Sequence, residues 1–268
     1  MKTIKLGSTG KEVECLQECL VKAGYAVGEK GLLDATTHHS LMAFQKANGL
    51  KPDGIVGYLT WETLFLHDKP LTEGPLSEKH FKLVAQLLGC EPEALQAVQM
   101  VETGGRGGFF APALPAILFE GHVFWRQLEK RGIDPTKLVR GNENILYPKW
   151  SKGHYVGGKD EYNRLAKARA INKEAADCSA SWGMFQVMGF NFAQCGEPDV
   201  ATFVADMKKS ECMQLVLAAR FIRKSGMLPA LQAKNWAEFA KRYNGPQYAQ
   251  NNYDKKLQAA YMAKKWHS

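Results

Sequence analysis

The chain has no run approaching the roughly 20 uninterrupted apolar residues of a membrane helix, so a membrane span is not expected. Strand-like alternation of apolar and polar residues is also scarce, which argues against an all-β architecture. Six cysteines are present (Cys15, Cys19, Cys90, Cys178, Cys195 and Cys212), but none form a Cys-x-x-Cys pair. Metal-ligand spacing is therefore missing, and the thiols read as buried, unpaired groups of a protein made in a reducing compartment. The segment Met1-Lys2-Thr3-Ile4-Lys5-Leu6-Gly7 lacks the apolar core of a signal peptide, so synthesis in a cytoplasm is expected, with any export left to another agent. Disorder is not expected either: 45% of the 268 residues are hydrophobic, with 25 Gly and 11 Pro.

Charge is present but unevenly placed. Residues 1–66 hold seven Lys and seven Asp/Glu, so the formal +8 resides entirely in the remainder, with 28 basic and 20 acidic residues. A basic half suits an anionic polymer such as nucleic acid, anionic lipid or acidic cell wall. The other reading is a solvated surface with Lys-rich patches such as Lys255-Lys256 and Lys264-Lys265. No helix-turn-helix spacing or basic-aromatic platform supports a nucleic-acid partner.

Residues 1–66 read as a small three-helix bundle. Val13, Leu16 and Leu20 recur at helical spacing before Gly24, and Leu41 and Phe44 mark a second helix closed by Asn48-Gly49. A Pro52-Asp53-Gly54 turn precedes a third helix around Trp61 and Leu64, with Thr60 as its expected N-cap. No titratable pair suited to catalysis stands out, which points to a binding module. The ordered residues Gly10-x-x-Val13-x-x-Leu16-Gln17, Asp34-x-x-Thr37, Phe44-Gln45 and Gly49-Leu50-x-x-Asp53-Gly54-Ile55-Val56-Gly57-x-x-Thr60-Trp61 resemble the small three-helix peptidoglycan-binding domain of bacteria. With Phe44, Val56 and Trp61 read as core, binding would fall to polar loop groups near Gln45, Asp53 and Gly54. Residues 67–76, with two prolines and a glycine, read as a linker.

Residues 77–268 read as a larger, mostly helical domain. Ser77 is placed to cap a helix carrying Phe81, Val84, Ala85 and Leu88 on one face, ended by Gly89. Pro92 opens the next helix. Further runs lie near 117–130, 161–176, 199–225, 235–243 and 252–265, with a small hairpin expected near 146–157.

Glu102 closes the apolar run Ala94–Val101 and is followed by Thr103-Gly104-Gly105. At helical spacing Leu95, Val98 and Glu102 share one face, so the carboxyl should be desolvated and hold its proton to a higher pH than a surface Glu. A protonated carboxyl at the lip of a cleft suits a general acid for glycosidic cleavage. Glu120 follows Ala116-Ile117-Leu118-Phe119 and is the candidate second carboxylate. It has two readings: a direct role in the chemistry, or a structural acid paired with His122 or Arg126. Asp177 is weaker, since Lys173 and Glu174 suggest an exposed setting. His122 reads as a partner of Glu120 rather than a metal ligand.

Two further segments are Ser181-Trp182-Gly183-Met184-Phe185-Gln186-Val187-Met188-Gly189 and Arg242-Tyr243-Asn244-Gly245-Pro246. Aromatic rings stack on sugar faces and amides pair with acetamido and hydroxyl groups. The order of the three segments resembles goose-type lysozymes and lytic transglycosylases. It is more similar to the N-acetylmuramidase family of modular phage endolysins, through Glu102-Thr103-Gly104-Gly105, Phe119-Glu120-Gly121-His122-x-Phe124, Ser181-Trp182-Gly183 and Tyr243-Asn244-Gly245. Thr103, Met184-Phe185-Gln186 and Arg242 depart from the wider superfamily, which leaves the acid in place and the product chemistry open.

The resemblance implies a glycoside hydrolase that cleaves between N-acetylmuramic acid and N-acetylglucosamine, with Glu102 and Glu120 catalytic. Thr103, Gln186, Tyr243 and Asn244 would bind the glycan. It implies no metal or organic cofactor, peptidoglycan as partner, a monomer, and action in the periplasm after release by a separate holin. A lytic transglycosylase leaving anhydromuramyl ends and a non-catalytic wall-binding or virion protein are the alternatives.

Overall fold

The computed structural model describes residues 3–67, 76–245 and 248–265, and the chain divides into two compact units, Met1–Glu91 and Pro92–Ser268. Among the described residues the architecture is mostly helical, with only short antiparallel strands, and no helix is long and apolar enough to cross a membrane.

In the first unit, helices α1 (Lys11–Lys22), α2 (Ala35–Ala47) and α3 (Tyr58–His67) enclose Val13, Leu16, Leu20, Leu33, Leu41, Phe44, Val56, Trp61 and Leu64. Asp34 caps α2, its Oδ1 accepting from the Thr37 N–H at 2.8 Å. Two buried glutamines then play the same part twice. Gln17 Oε1 accepts from Gly31 N (2.8 Å) while its Nε2 donates to Thr37 Oγ1 (3.2 Å). Gln45 Oε1 accepts from Gly54 N (2.9 Å) while its Nε2 donates to Thr60 Oγ1 (3.2 Å). Each amide satisfies the backbone of the loop that follows its helix, as buried polar groups must. Thr60 is therefore not the N-cap expected from the sequence: α3 starts at Tyr58, and the buried Thr60 hydroxyl serves Gln45.

Helix α4 (Glu78–Leu88) groups with the first unit, where Leu87 packs on the three-helix core, although the sequence places it in the second domain. Ser77 N donates to His80 Nδ1 at 2.9 Å, closing a capping box. Of the expected linker, residues 68–75 lie outside the described residues.

The second unit opens with α5 (Pro92–Thr103), followed by a hairpin of β1 (Phe109–Ala111) and β2 (Leu114–Pro115). A small antiparallel sheet of order β3-β4-β5 combines Ile117–Phe119, Ala180–Trp182 and Val187–Met188, with Ile117 opposite Trp182 and Ser181 opposite Met188. The apolar run at 116–119 is thus a strand; over so few residues periodicity does not separate strand from helix. Helix α6 (Gly121–Glu129) starts only after Glu120.

The expected run 161–176 is two helices, α7 (Glu161–Ile171) and α8 (Lys173–Cys178), broken at Asn172, whose side chain caps α8. Run 199–225 is likewise α9 (Val200–Met207) and α10 (Glu211–Lys224), capped by Asp199 and Ser210. Helix α10 is buried along most of its length and carries the fully buried Gln214, which accepts from Met184 N (2.9 Å) and donates to Met207 O (2.9 Å). Helices α11 (Leu228–Gln232), α12 (Trp236–Asn244) and α13 (Tyr253–Lys265) complete the unit, with α13 packed along α5.

No hairpin forms near 146–157, where short 3-10 turns stand instead. The reason is a buried ion pair. Glu161 Oε2 meets Arg164 Nη1 at 2.7 Å, and Glu161 Oε1 takes the N–H groups of Val156 (2.9 Å) and Gly157 (3.0 Å). Donors that a strand partner would need are already engaged.

Candidate active site

Glu102 sits in the last turn of α5, with Leu95 and Val98 of the same face fully buried and Glu102 itself half-buried. The helix stops because Gly104 (φ +62°) and Gly105 (φ +79°) adopt the left-handed region that side chains disfavour. Desolvation pushes the Glu102 carboxyl up to about 8, opposed by a hydrogen bond with the Asn244 side chain. The Tyr253 hydroxyl, at the start of α13, also donates to Glu102 Oε1.

Glu120 occupies the N-cap position of α6, yet its side chain makes no capping bond. Instead Oε2 accepts from the Tyr155 hydroxyl at 2.5 Å. His122 Nδ1 lies 3.3 Å from the same oxygen, not aligned for a hydrogen bond. The sequence pairing of Glu120 with His122 is therefore met in space, and Tyr155 joins it.

A cleft of about 710 Å³ is lined by Glu120, His122, Trp150, Lys152, Asn244, Tyr248 and Tyr253. Asn244 and Tyr253, the two partners of Glu102, thus face the same space as Glu120. A proton-bearing carboxyl, a second carboxylate and amide and aromatic groups around one cleft are suited to general acid–base cleavage of a sugar polymer.

The remaining residues singled out from the sequence lie elsewhere in the network. Tyr243 is half-buried, stacked on Phe239 (5.4 Å) and donating to Phe185 O at 2.5 Å. Its hydroxyl is pushed well up, by burial first and then by the charge of Glu102. Gln186 engages its amide with Ser181 Oγ (2.8 Å) and Gly183 O (2.8 Å), so it braces the β4–β5 turn. The buried Thr103 hydroxyl donates to Gln99 O at 3.0 Å, back into its own helix. Asp177 is buried rather than exposed, and pairs with Arg169 at 2.6 Å.

In the first unit Gln45 and Gly54 are buried, with Gln45 engaged as described. Gly54 sits at φ +66°, which strains any side chain, and a Cβ there would fall 2.0 Å from His38 Nε2, so the imidazole would have to move. Asp53 is exposed, and its Oδ1 accepts from Ile55 N at 3.0 Å. Cys178, Cys195 and Cys212 are buried as expected, whereas Cys15, Cys19 and Cys90 are half-buried. Among the described residues no cluster of three His, Cys, Asp or Glu could hold a metal ion.

Trp150, Lys152, Tyr155, Tyr248 and Tyr253 went unread in the sequence. Their signal was an excess of aromatic and amide groups in polar turns, Lys149-Trp150-Ser151-Lys152-Gly153-His154-Tyr155 and Tyr248-Ala249-Gln250-Asn251-Asn252-Tyr253.

The N-acetylmuramidase profile matches residues 91–265. The chain belongs to the N-acetylmuramidase family. This muramidase is a glycoside hydrolase acting on peptidoglycan, and a putative peptidoglycan-binding domain matches its residues 9–64. The crystal structure of the Burkholderia AP3 phage endolysin is similar over 98% of both chains, at 38% identity and a TM-score of 0.62.

Proposed function

We propose that this muramidase is a phage endolysin that hydrolyses the β-1,4 bond between N-acetylmuramic acid and N-acetylglucosamine. The observation that carries the reading is that Asn244 and Tyr253, the two partners of Glu102, line the cleft that Glu120 also lines, while burial pushes the Glu102 carboxyl up to about 8. Glu102 donates its proton to the leaving glycosidic oxygen as the bond to the anomeric carbon breaks. Glu120 accepts a proton from the attacking water or stabilises positive charge on the sugar ring. Asn244 orients Glu102, and Tyr243 and Gln186 support the site rather than contact the glycan.

The first unit retains the enzyme on the wall, raising the local concentration of the catalytic unit. Because Gln45 and Gly54 are occupied within the fold, wall contact is assigned to exposed groups of this unit such as Asp53. The protein acts as a monomer on periplasmic peptidoglycan, with release from the host cytoplasm left to a separate holin.

The test is digestion of purified sacculi by the parent and by Glu102→Gln, with products weighed by mass spectrometry. Reducing ends one water heavier than the intact linkage are expected from the parent, and none from the variant. Anhydro ends would instead assign a transglycosylase, and an inert parent would assign a wall-binding protein.

A further inference from the structure

Glu120 is held by a chain of side chains that the catalytic reading leaves unassigned. Tyr155 donates to Glu120 Oε2 at 2.5 Å, and the Trp150 side chain is a polar neighbour of the Tyr155 hydroxyl. Trp150 lines the cleft and is 56% exposed, unusual for the largest apolar side chain. Glu120 Oε1 has no hydrogen-bond partner among the described residues, so one lobe of the carboxylate is held and the other is left for water or sugar.

The middle of the chain is clamped. The Arg164 guanidinium lies 5.5 Å from the Tyr155 ring centroid, and the backbone N–H groups of Val156 and Gly157 are fixed on the buried Glu161. The same Arg164 donates from Nη1 to Phe119 O at 2.8 Å, immediately before Glu120. One buried ion pair therefore sets both the strand end that delivers Glu120 and the loop that delivers Tyr155. Burial and the neighbouring Glu120 push the Tyr155 hydroxyl up, which keeps it a neutral donor.

We propose that Tyr155 is a positioning residue for Glu120, and that Trp150 is a sugar-stacking platform of the cleft whose indole N–H couples to it by donating to the Tyr155 oxygen. A pyranose face on the indole would hold the ring in the plane that keeps its N–H on the Tyr155 oxygen. Occupancy of the platform would then fix the phenol, and the phenol fixes the carboxylate. This rests on Glu120 serving the reaction, as proposed above.

The experiment uses the full-length chain on soluble, uncrosslinked glycan strands, with kcat and KM measured separately. Tyr155→Phe removes one oxygen and should lower kcat by about 10- to 100-fold with KM within about twofold. Trp150→Ala should raise KM about tenfold, whereas Trp150→Phe, which keeps a ring but no N–H, should mainly lower kcat. In a Glu120→Gln background Tyr155→Phe should have no further effect, because its target is gone. A merely structural role would carry the same loss into that background and would overturn the proposal. So would parent kcat in Tyr155→Phe while Glu120→Gln is disabled. Parent kcat in Glu120→Gln itself would remove the carboxylate's role, and this proposal with it. Should Tyr155→Phe melt early, Trp150→Phe at its exposed position reads the same chain.

Discussion

Asn244 hydrogen-bonds the carboxyl of Glu102 while lining the cleft that Glu120 also lines. The two glutamates come from distant elements, the end of α5 and the start of α6, and Asn244 at the end of α12 is one of the groups that place them around one space. Its hydrogen bond favours the ionised form of Glu102, against the larger effect of burial. The acid is thus kept protonated by its setting and oriented by an amide.

Glu102→Gln should reduce lysis of sacculi to below a few per cent of the parent with an unchanged circular dichroism spectrum. The parent's kcat should fall as pH rises through about 8, where Glu102 loses its proton. A kcat that stays flat to pH 10 would remove Glu102 from the acid role.

The same shift has a sign for stability. With its folded pKa raised above the unfolded value, Glu102 binds more protons folded than unfolded between about 4.5 and 8, so stability falls as pH rises across that window. Glu102→Gln removes the titrating group, and its Tm should exceed the parent's at pH 8 more than at pH 4. Differential scanning calorimetry at the two pH values checks this.

Asn244→Ala removes the bond that opposes burial. The alkaline limb of kcat should move to higher pH, while turnover at neutral pH drops about tenfold through lost orientation. A limb moving to lower pH would contradict the assigned hydrogen bond.

How much of this was legible follows from which signals are local. The setting of Glu102 was readable because the buried face of its helix and the Gly104-Gly105 stop are both written within a dozen residues. The α-rich class was readable for the same reason. Tyr155 and Trp150 were not, because their placement depends on Glu161 and Arg164 gripping the 155–157 loop. Gln45 looked like a loop-facing binding group, yet only the folded unit shows its amide filled by Gly54, Thr60 and Ile55. The break at Asn172 was legible in principle as a cap, and was hidden by apolar residues continuing on both sides.

The Glu161–Arg164 pair should be the most sensitive polar feature of the catalytic unit. Removing one partner leaves a buried charge alone, so Arg164→Met should destabilise by about 3–5 kcal/mol, measured by urea unfolding. The double variant Arg164→Met, Glu161→Gln should be less damaged than the sum of the single variants. Additive losses would show that the two residues act separately.

Salt should act on the two units differently. Residues 92–268 carry 25 basic and 16 acidic residues, whereas residues 1–91 carry ten and eleven. Peptidoglycan stems bear carboxylates, so the +9 unit should be drawn to the wall by a field that salt screens over a Debye length of about 8 Å at physiological ionic strength. The near-neutral first unit offers no such field, and its wall contact should change little. In sacculus pull-downs, a fragment of residues 92–268 should therefore lose most of its binding between low salt and roughly 0.5 M, with the full chain losing proportionately less. Retention of the fragment at 0.5 M salt would reduce its charge to a solubility feature. Equal binding by the fragment and the full chain at every salt concentration would remove the first unit's role in wall attachment.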